Sequence, residues 1–168
     1  MSTQSLLFRM LQGIAGIVTR VWAANIETFP LGATAFPAYG LPVKISSGTI
    51  IPITSTADPV YGILVKPFPT TGKNASDPLA AAVPPTSGVA DVLTKGYISV
   101  FVQNAPTSVN AGGVVYVRFQ NPSGVKIVGG IESVTSADVY ALTNARFTGN
   151  VDASGNGEIY IGNDGAHA

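Results

Sequence analysis

Two apolar segments between Gly96 and Phe119 constrain the fold more than any other part of this chain. Their side-chain alternation predicts β-strands at residues 97–103 and 114–119, joined by a loop that contains Pro106 and the pair Gly112-Gly113. Apolar side chains fall on both faces of these strands, whereas a strand with one face in water alternates apolar and polar residues. Both faces are therefore expected to contact protein, as in the wall of a small antiparallel β-barrel or sandwich.

Further short strands, separated by turn residues, are predicted on either side of this pair. Their positions are residues 41–45, 49–54, 60–66, 89–93, 125–128, 145–151 and 157–162. The first two of these form a hairpin around residues 46–48, and the last two form another. Pro52 suggests an edge position, because proline cannot donate a hydrogen bond to a neighbouring strand. A turn at Thr94-Lys95 leads into the strand at 97–103, which with residues 114–119 would form a hairpin.

The remaining segments complete a mainly β domain at residues 41–168. Residues 136–142 fit either a short helical turn or a strand, and residues 67–88 form a long loop rich in Pro, Thr, Ser and Ala. The tail at residues 163–168 has no apolar side chain to bury beyond alanine, so it is expected to fray.

An amphipathic helical arm is predicted before this domain, at residues 1–24. One apolar stripe at helical spacing runs along it. The stripe consists of Leu7, Met10, Leu11, Ile14, Ile17, Val18 and Val21, and Trp22 follows. No basic side chain precedes the apolar part, as a secretory signal would require, and Arg9, Gln12 and Arg20 interrupt any membrane span. We expect the arm to dock on its own domain or on a neighbouring subunit, with no membrane partner.

Residues 25–40 are predicted to form an extended strap, because prolines and glycines at short intervals prevent a regular helix. Phe29, Phe36 and Tyr39 give this segment apolar anchors that a free linker would lack. The strap is therefore expected to lie across a protein surface.

The composition favours a protein that works within an assembly. Charged residues make up 11% of the 168 residues, and nine basic side chains balance nine acidic ones. Such a surface repels copies of itself weakly, and interface centres are depleted in charge. No basic run is present, so direct binding of nucleic acid is not expected. The chain has no cysteine, which excludes disulfides and thiolate chemistry.

No catalytic, cofactor-binding or metal-binding residues are predicted. The single histidine, His167, is next to the end of the chain, where it cannot be held in register as a base or ligand. Residues 152–156 are explained by turn chemistry rather than by calcium binding. Spacing brings no two of the carboxylates Asp91, Glu132, Asp138 and Glu158 together, and all four are expected to be ordinary surface carboxylates. The chain is therefore predicted not to be an enzyme.

Several short motifs resemble those of the capsid decoration, or structural cement, proteins of tailed bacteriophages. They are GYISV at residues 96–100, GGVVYVR at 112–118 and EIYI at 158–161, with VYGILV at 60–65 as an earlier strand. The resemblance extends over the organisation of residues 41–162. It implies a non-enzymatic virion protein that binds the outer surface of the head at junctions between major capsid protein subunits. It also implies stabilisation of the expanded shell and self-association as dimers or trimers.

The candidate partner-binding residues are the apolar side chains of the arm and strap. They are Leu7, Met10, Leu11, Ile14, Ile17, Val18, Val21, Trp22, Phe29, Phe36 and Tyr39. Two alternatives remain open on the sequence. One is a carbohydrate-binding or adhesin-like β-module of a virion spike or fibre, and the other is a small β-barrel enzyme without a recognisable motif.

Overall fold

In the part of the chain that the structure describes, nine antiparallel strands form one sheet that curls into a half-barrel. The computed structural model describes residues 13–56, 58–67, 83–103 and 109–162. Its strands are β1 (Asn25–Pro30), β2 (Pro42–Ser46), β3 (Thr49–Pro52), β4 (Gly62–Leu64), β5 (Val89–Phe101), β6 (Val114–Arg118), β7 (Ile131–Glu132), β8 (Val139–Phe147) and β9 (Asn156–Gly162). The strand order is β3-β2-β4-β5-β9-β8-β6-β7, and β1 also pairs with β5. The prediction of a mainly β, antiparallel fold is confirmed.

Both predicted short hairpins are present. Strands β2 and β3 pair across the turn at Ser47 and Gly48, and β8 and β9 pair around Phe147 and Ile159. The position of Pro52 at an edge is also confirmed, since β3 is the last strand at one end of the sheet order. Of residues 136–142, which the sequence left ambiguous, residues 139–142 lie in strand β8 and residues 137–138 form a turn.

The predicted hairpin between residues 97–103 and 114–119 is wrong. Strand β5 is 13 residues long and continues through Thr94 and Lys95, where a turn was expected. It pairs with β9, while β6 pairs with β7 and β8. The chain after β5 therefore continues into a strand that is not adjacent to β5 in the sheet. Residue alternation does not specify which strands pair. Residues 125–128 form turns rather than the predicted strand.

Alternating residues of the central strands bury their side chains in two different apolar clusters. Ile63 and Leu93 belong to the larger one. Their neighbours Leu64 and Val92 belong to a smaller one. The smaller cluster is covered by Phe36 and Tyr39, both buried and both from the segment predicted to be a strap. Burial of large apolar side chains like these stabilises a fold by about 1.5–3 kcal/mol each.

The described part of the N-terminal arm is not an α-helix, so that prediction is wrong for residues 13–24. Residues 16–19 run alongside β5, and Val18 bridges to Ile98. The amide of Gly16 donates to the carbonyl of Ser99 at 2.7 Å, and the amide of Thr19 donates to the carbonyl of Tyr97 at 3.0 Å. Without this segment, the backbone groups of Ser99 and Tyr97 along this edge of β5 would lack hydrogen-bond partners. Forming these hydrogen bonds outweighs the helix propensity of the segment. Leu7, Met10 and Leu11 lie outside the described residues.

Gly16 shows how closely this segment packs on the rest of the domain. Its φ is +88°, and a Cβ at this position would lie 2.6 Å from the Cβ of Tyr39. Its carbonyl accepts a hydrogen bond from the amide of Lys66 at 2.7 Å, just beyond β4. Residues 16–19 therefore connect β5 to the chain that follows β4, and they form part of the fold.

Candidate partner-binding surface

A row of four side chains crosses the face of the sheet opposite the larger apolar cluster. The Cζ atom of Arg20 lies 3.8 Å from the ring centroid of Tyr97, and the Cζ atom of Arg146 lies 4.6 Å from that of Tyr160. The two rings are direct partners on β5 and β9, with centroids 5.0 Å apart. Cation–π contacts of this kind contribute about 0.5–1 kcal/mol each where they are exposed. We call Arg20, Tyr97, Tyr160 and Arg146 the stacked row.

Beside this row, the buried carboxylate of Glu158 fixes the N-terminal segment to β9. It accepts hydrogen bonds from the hydroxyls of Thr19 and Thr148, both at 2.5 Å, and from Nη2 of Arg20 at 2.9 Å. Burial acts to raise the pKa of Glu158, but the hydrogen bonds from Thr148, Thr19 and Arg20 and the charge of Arg20 together lower it. The carboxylate is therefore ionised at neutral pH and holds three elements together.

The turn that follows Arg20 presents two apolar side chains to solvent. A 3-10 turn at Val21–Ala23 leaves Val21 74% exposed and Trp22 85% exposed. The turn packs tightly on β5, because a Cβ added to Gly96, whose φ is +133°, would lie 2.9 Å from the carbonyl oxygen of Ala23. The packing of the turn on β5 therefore fixes the position of Val21 and Trp22, whose side chains lie in solvent. We call these two residues the apolar knuckle.

The other described candidates for partner binding face inward to different degrees. Phe36 and Tyr39 are buried, and Phe29 is half-buried with its ring edge-on to Tyr61, at 5.3 Å between centroids. Three more candidates are half-buried, namely Ile14, Ile17 and Val18. Of the candidates that the structure describes, the two of the knuckle are the exposed ones.

The stacked row was missed by reasoning from the sequence. Tyr97 and Tyr160 are separated by about half of the β-domain, and only the pairing of β5 with β9 brings their rings together. The alternation in each strand does place the side chain of Tyr97 on the other face of the sheet from Ile98. It likewise places Tyr160 on the other face from Ile159 and Ile161. That signal identifies the face of each side chain but gives no partner.

The prediction that Glu132 and Glu158 are surface carboxylates is wrong, since both are buried, and the interior holds paired charges. Nε of Arg118 lies 2.5 Å from Oε1 of Glu132, and Nζ of Lys126 lies 3.2 Å from Oε2 of the same carboxylate. The guanidinium of Arg118 also donates to the carbonyls of Gln120 and Asn121. This ion pair secures the loop after β6. Within the described ranges there is no group of three or more His, Cys, Asp or Glu residues that could hold a metal ion.

A comparison with solved structures shows that this fold is shared with another protein chain. The chain is similar to a chain in the structure described as "The capsid of Myoviridae Phage XM1", with a TM-score of 0.68 and 21% sequence identity. The match covers 95% of this chain and 96% of the other. The fold is therefore that of a component of a phage capsid structure. In the described part of the chain, no helix has both the length and the apolar character needed to cross a membrane.

The family model described as "XM1 gp53 minor capsid protein" matches residues 2–161. The chain therefore belongs to this family of minor capsid proteins. A search of curated proteins gave no match. The resemblance to capsid-associated phage proteins is confirmed, and the chain is a structural protein of the virion.

Proposed function

We propose that this chain is a cement protein that binds the outer surface of the phage head and stabilises the expanded shell. Its partner is the major capsid protein, which it contacts across the junctions between subunits. The observation that carries the proposal is the apolar knuckle, in which Trp22 is 85% exposed beside an exposed Val21. Tryptophan is among the residues that contribute most to protein interfaces when a partner buries them.

The way the knuckle is supported favours binding. Arg20 is held between Tyr97 and Glu158, and Ala23 packs on Gly96. A preorganised turn loses little conformational entropy when a partner covers it, so more of the contact energy remains as affinity. This distinguishes the knuckle from a mobile surface loop with the same residues.

The low charge of the chain suits a position between other capsid subunits. With 11% charged residues and a formal net charge of zero, little desolvation of ions opposes close packing. We further propose that copies self-associate as dimers or trimers on the shell. Each assembly would then reach several capsid subunits at once, and multivalent contact raises avidity without new contacts per copy.

The experiment uses expanded empty shells of the phage that encodes the chain, assembled without this protein. Purified protein is added from outside, and the shells are sedimented. Saturable co-sedimentation is expected with expanded shells, together with a higher temperature of shell disassembly. Unexpanded shells are the control. Failure to bind expanded shells overturns the proposal, and binding to a glycan panel instead would support the carbohydrate-binding alternative.

A further inference from the structure

An irregularity in β8 opens a depression at the outer end of the stacked row. Val115 of β6 pairs with Leu142, while the preceding Val114 pairs with Arg146. Residues 143–145 are thus extra residues in β8, and such bulges redirect side chains that a regular strand would point elsewhere. The depression has a volume of about 310 Å³. It is lined by Thr143, Asn144, Ala145, Arg146, Tyr160 and Gly162.

Polar groups around this depression lack partners within the described part of the chain. The Oδ1 atom of Asn144 is buried and accepts no hydrogen bond there. The guanidinium of Arg146 makes its contact with the ring of Tyr160. By comparison, Arg20 is paired with Glu158, and Arg118 with Glu132. Of the three arginines that the structure describes, Arg146 is the one without a carboxylate.

We infer that this depression binds a carboxylate side chain, an aspartate or glutamate, of the neighbouring capsid protein. The inference rests on the proposed function and names the chemistry of the partner at a second point of the same surface. A planar guanidinium stacked on a ring has its orientation fixed, and its N–H groups match the two oxygens of a carboxylate. Thr143, which is exposed at the edge of the depression, supplies a further polar group for the partner's backbone beside that side chain.

The position of the depression supports one continuous interface. The stacked row leads from Arg146 through Tyr160 and Tyr97 to Arg20, and the knuckle follows directly. A partner that covers Trp22 and extends along this row reaches the depression. The knuckle would then provide apolar contact at one end, and Arg146 would provide orientation and charge selectivity at the other.

The test compares Arg146→Ala with the wild type in binding to expanded shells. Lys44→Ala is the matched control, since it removes one positive charge at β2, four places from β8 in the strand order. Arg146→Ala is expected to weaken binding by about tenfold, and Arg146→Lys by less, since lysine keeps the charge without the planar fork. Lys44→Ala is expected to bind as the wild type does. Thermal unfolding of each variant checks that the fold is retained.

Two further arms examine the chemistry of the partner. Raising the salt from about 50 mM to about 500 mM should weaken wild-type binding more than it weakens the binding of Arg146→Ala. Amidation of the shell carboxylates with a carbodiimide and glycinamide should reduce wild-type binding to the level of the variant. It should reduce the binding of the variant less.

The outcomes separate this inference from the proposed function. If the wild type binds shells and Arg146→Ala binds them equally well, the inference is overturned and the cement role stands. If the wild type does not bind expanded shells, the proposed function fails, and the inference fails with it. Binding of a single-stranded oligothymidine that is lost in Arg146→Ala would overturn the carboxylate site in favour of a nucleic-acid site.

Discussion

The hydroxyl of Thr19 donates a hydrogen bond to Oε2 of Glu158 at 2.5 Å, although the two residues are 139 positions apart. Glu158 lies on β9, near the end of the domain, and Thr19 lies on the segment that pairs with β5. Through this buried carboxylate, the segment that contains Thr19 is hydrogen-bonded to strand β9. The apolar knuckle begins two residues after Thr19, so its position depends on this contact.

Replacing Glu158 by glutamine should destabilise the protein by about 1–3 kcal/mol. The substitution removes the negative charge that accepts hydrogen bonds from Thr19, Thr148 and Arg20. Because Arg20 is half-buried, water can replace part of the hydrogen bonding that its guanidinium loses. Urea unfolding measures the effect, with Asp91→Asn as a control, since Asp91 accepts from Thr28 at an exposed position. Equal midpoints for Glu158→Gln and the wild type would contradict the structural role of this carboxylate.

The contribution of Glu158 should also depend on pH. Its pKa in the folded protein is below its ordinary value of 4.5, so the unfolded chain binds the proton more readily. The stabilisation is therefore fully present above that value and is lost as the pH falls through the lower folded pKa. Asp58 and Asp138, whose pKa values are also lowered, add their own acid sensitivity in both proteins.

Comparison with Glu158→Gln isolates this one group. The difference in unfolding free energy between the wild type and the variant should be largest near pH 7 and should shrink toward about pH 3. Urea titrations over this range measure it. A difference that stays constant across the range would mean that the ionisation of Glu158 does not stabilise the fold.

The ion pair of Arg118 and Glu132 permits a comparison around a single carboxylate. Arg118→Ala should cost about 3–5 kcal/mol, because it leaves the charge of Glu132 buried without its closest partner. Lys126→Ala removes the outer partner of the same carboxylate and should cost at most about 1 kcal/mol, since the lysine is partly exposed. Thermal or urea unfolding checks both. Similar losses for the two variants would be inconsistent with this difference in burial.

Two exposed valines test whether shell binding depends on the knuckle rather than on exposed apolar surface in general. Val21 is 74% exposed in the knuckle, and Val125 is 68% exposed in the loop after β6. Val21→Ala should weaken co-sedimentation with expanded shells severalfold, whereas Val125→Ala should not. Neither should change the free energy of unfolding by more than about 0.5 kcal/mol. Equal losses of binding for Val21→Ala and Val125→Ala would mean that the knuckle contributes no more to shell binding than other exposed apolar surface does.

Local sequence signals predicted the local parts of this fold well. The β2–β3 hairpin follows from turn residues between two alternating runs, and the edge position of Pro52 follows from its missing N–H. The expectation that both faces of the strands at 97–103 and 114–119 would be covered holds at Ile98 and Ser99, which are buried, but fails at Phe101 and Val114, which are exposed. Each of these signals operates within a few residues along the chain.

Long-range pairing accounts for what the sequence did not reveal. The apolar spacing of residues 14–21 suggested a helix, but an available edge of β5 binds this segment in extended form. The arrangement of Arg20, Tyr97, Tyr160 and Arg146 depends on three separate strand or segment pairings. Side-chain alternation predicts the face on which a residue lies, but it does not determine which residue lies beside it on the neighbouring strand.

The most direct test of the cement role is the affinity of Trp22→Ala for expanded shells. Because Trp22 is 85% exposed, this variant should keep the stability of the wild type. Loss of a buried interface tryptophan costs about 2 kcal/mol or more, so the dissociation constant measured by co-sedimentation should rise by roughly 30-fold. Retention of wild-type affinity by a folded Trp22→Ala would contradict the account.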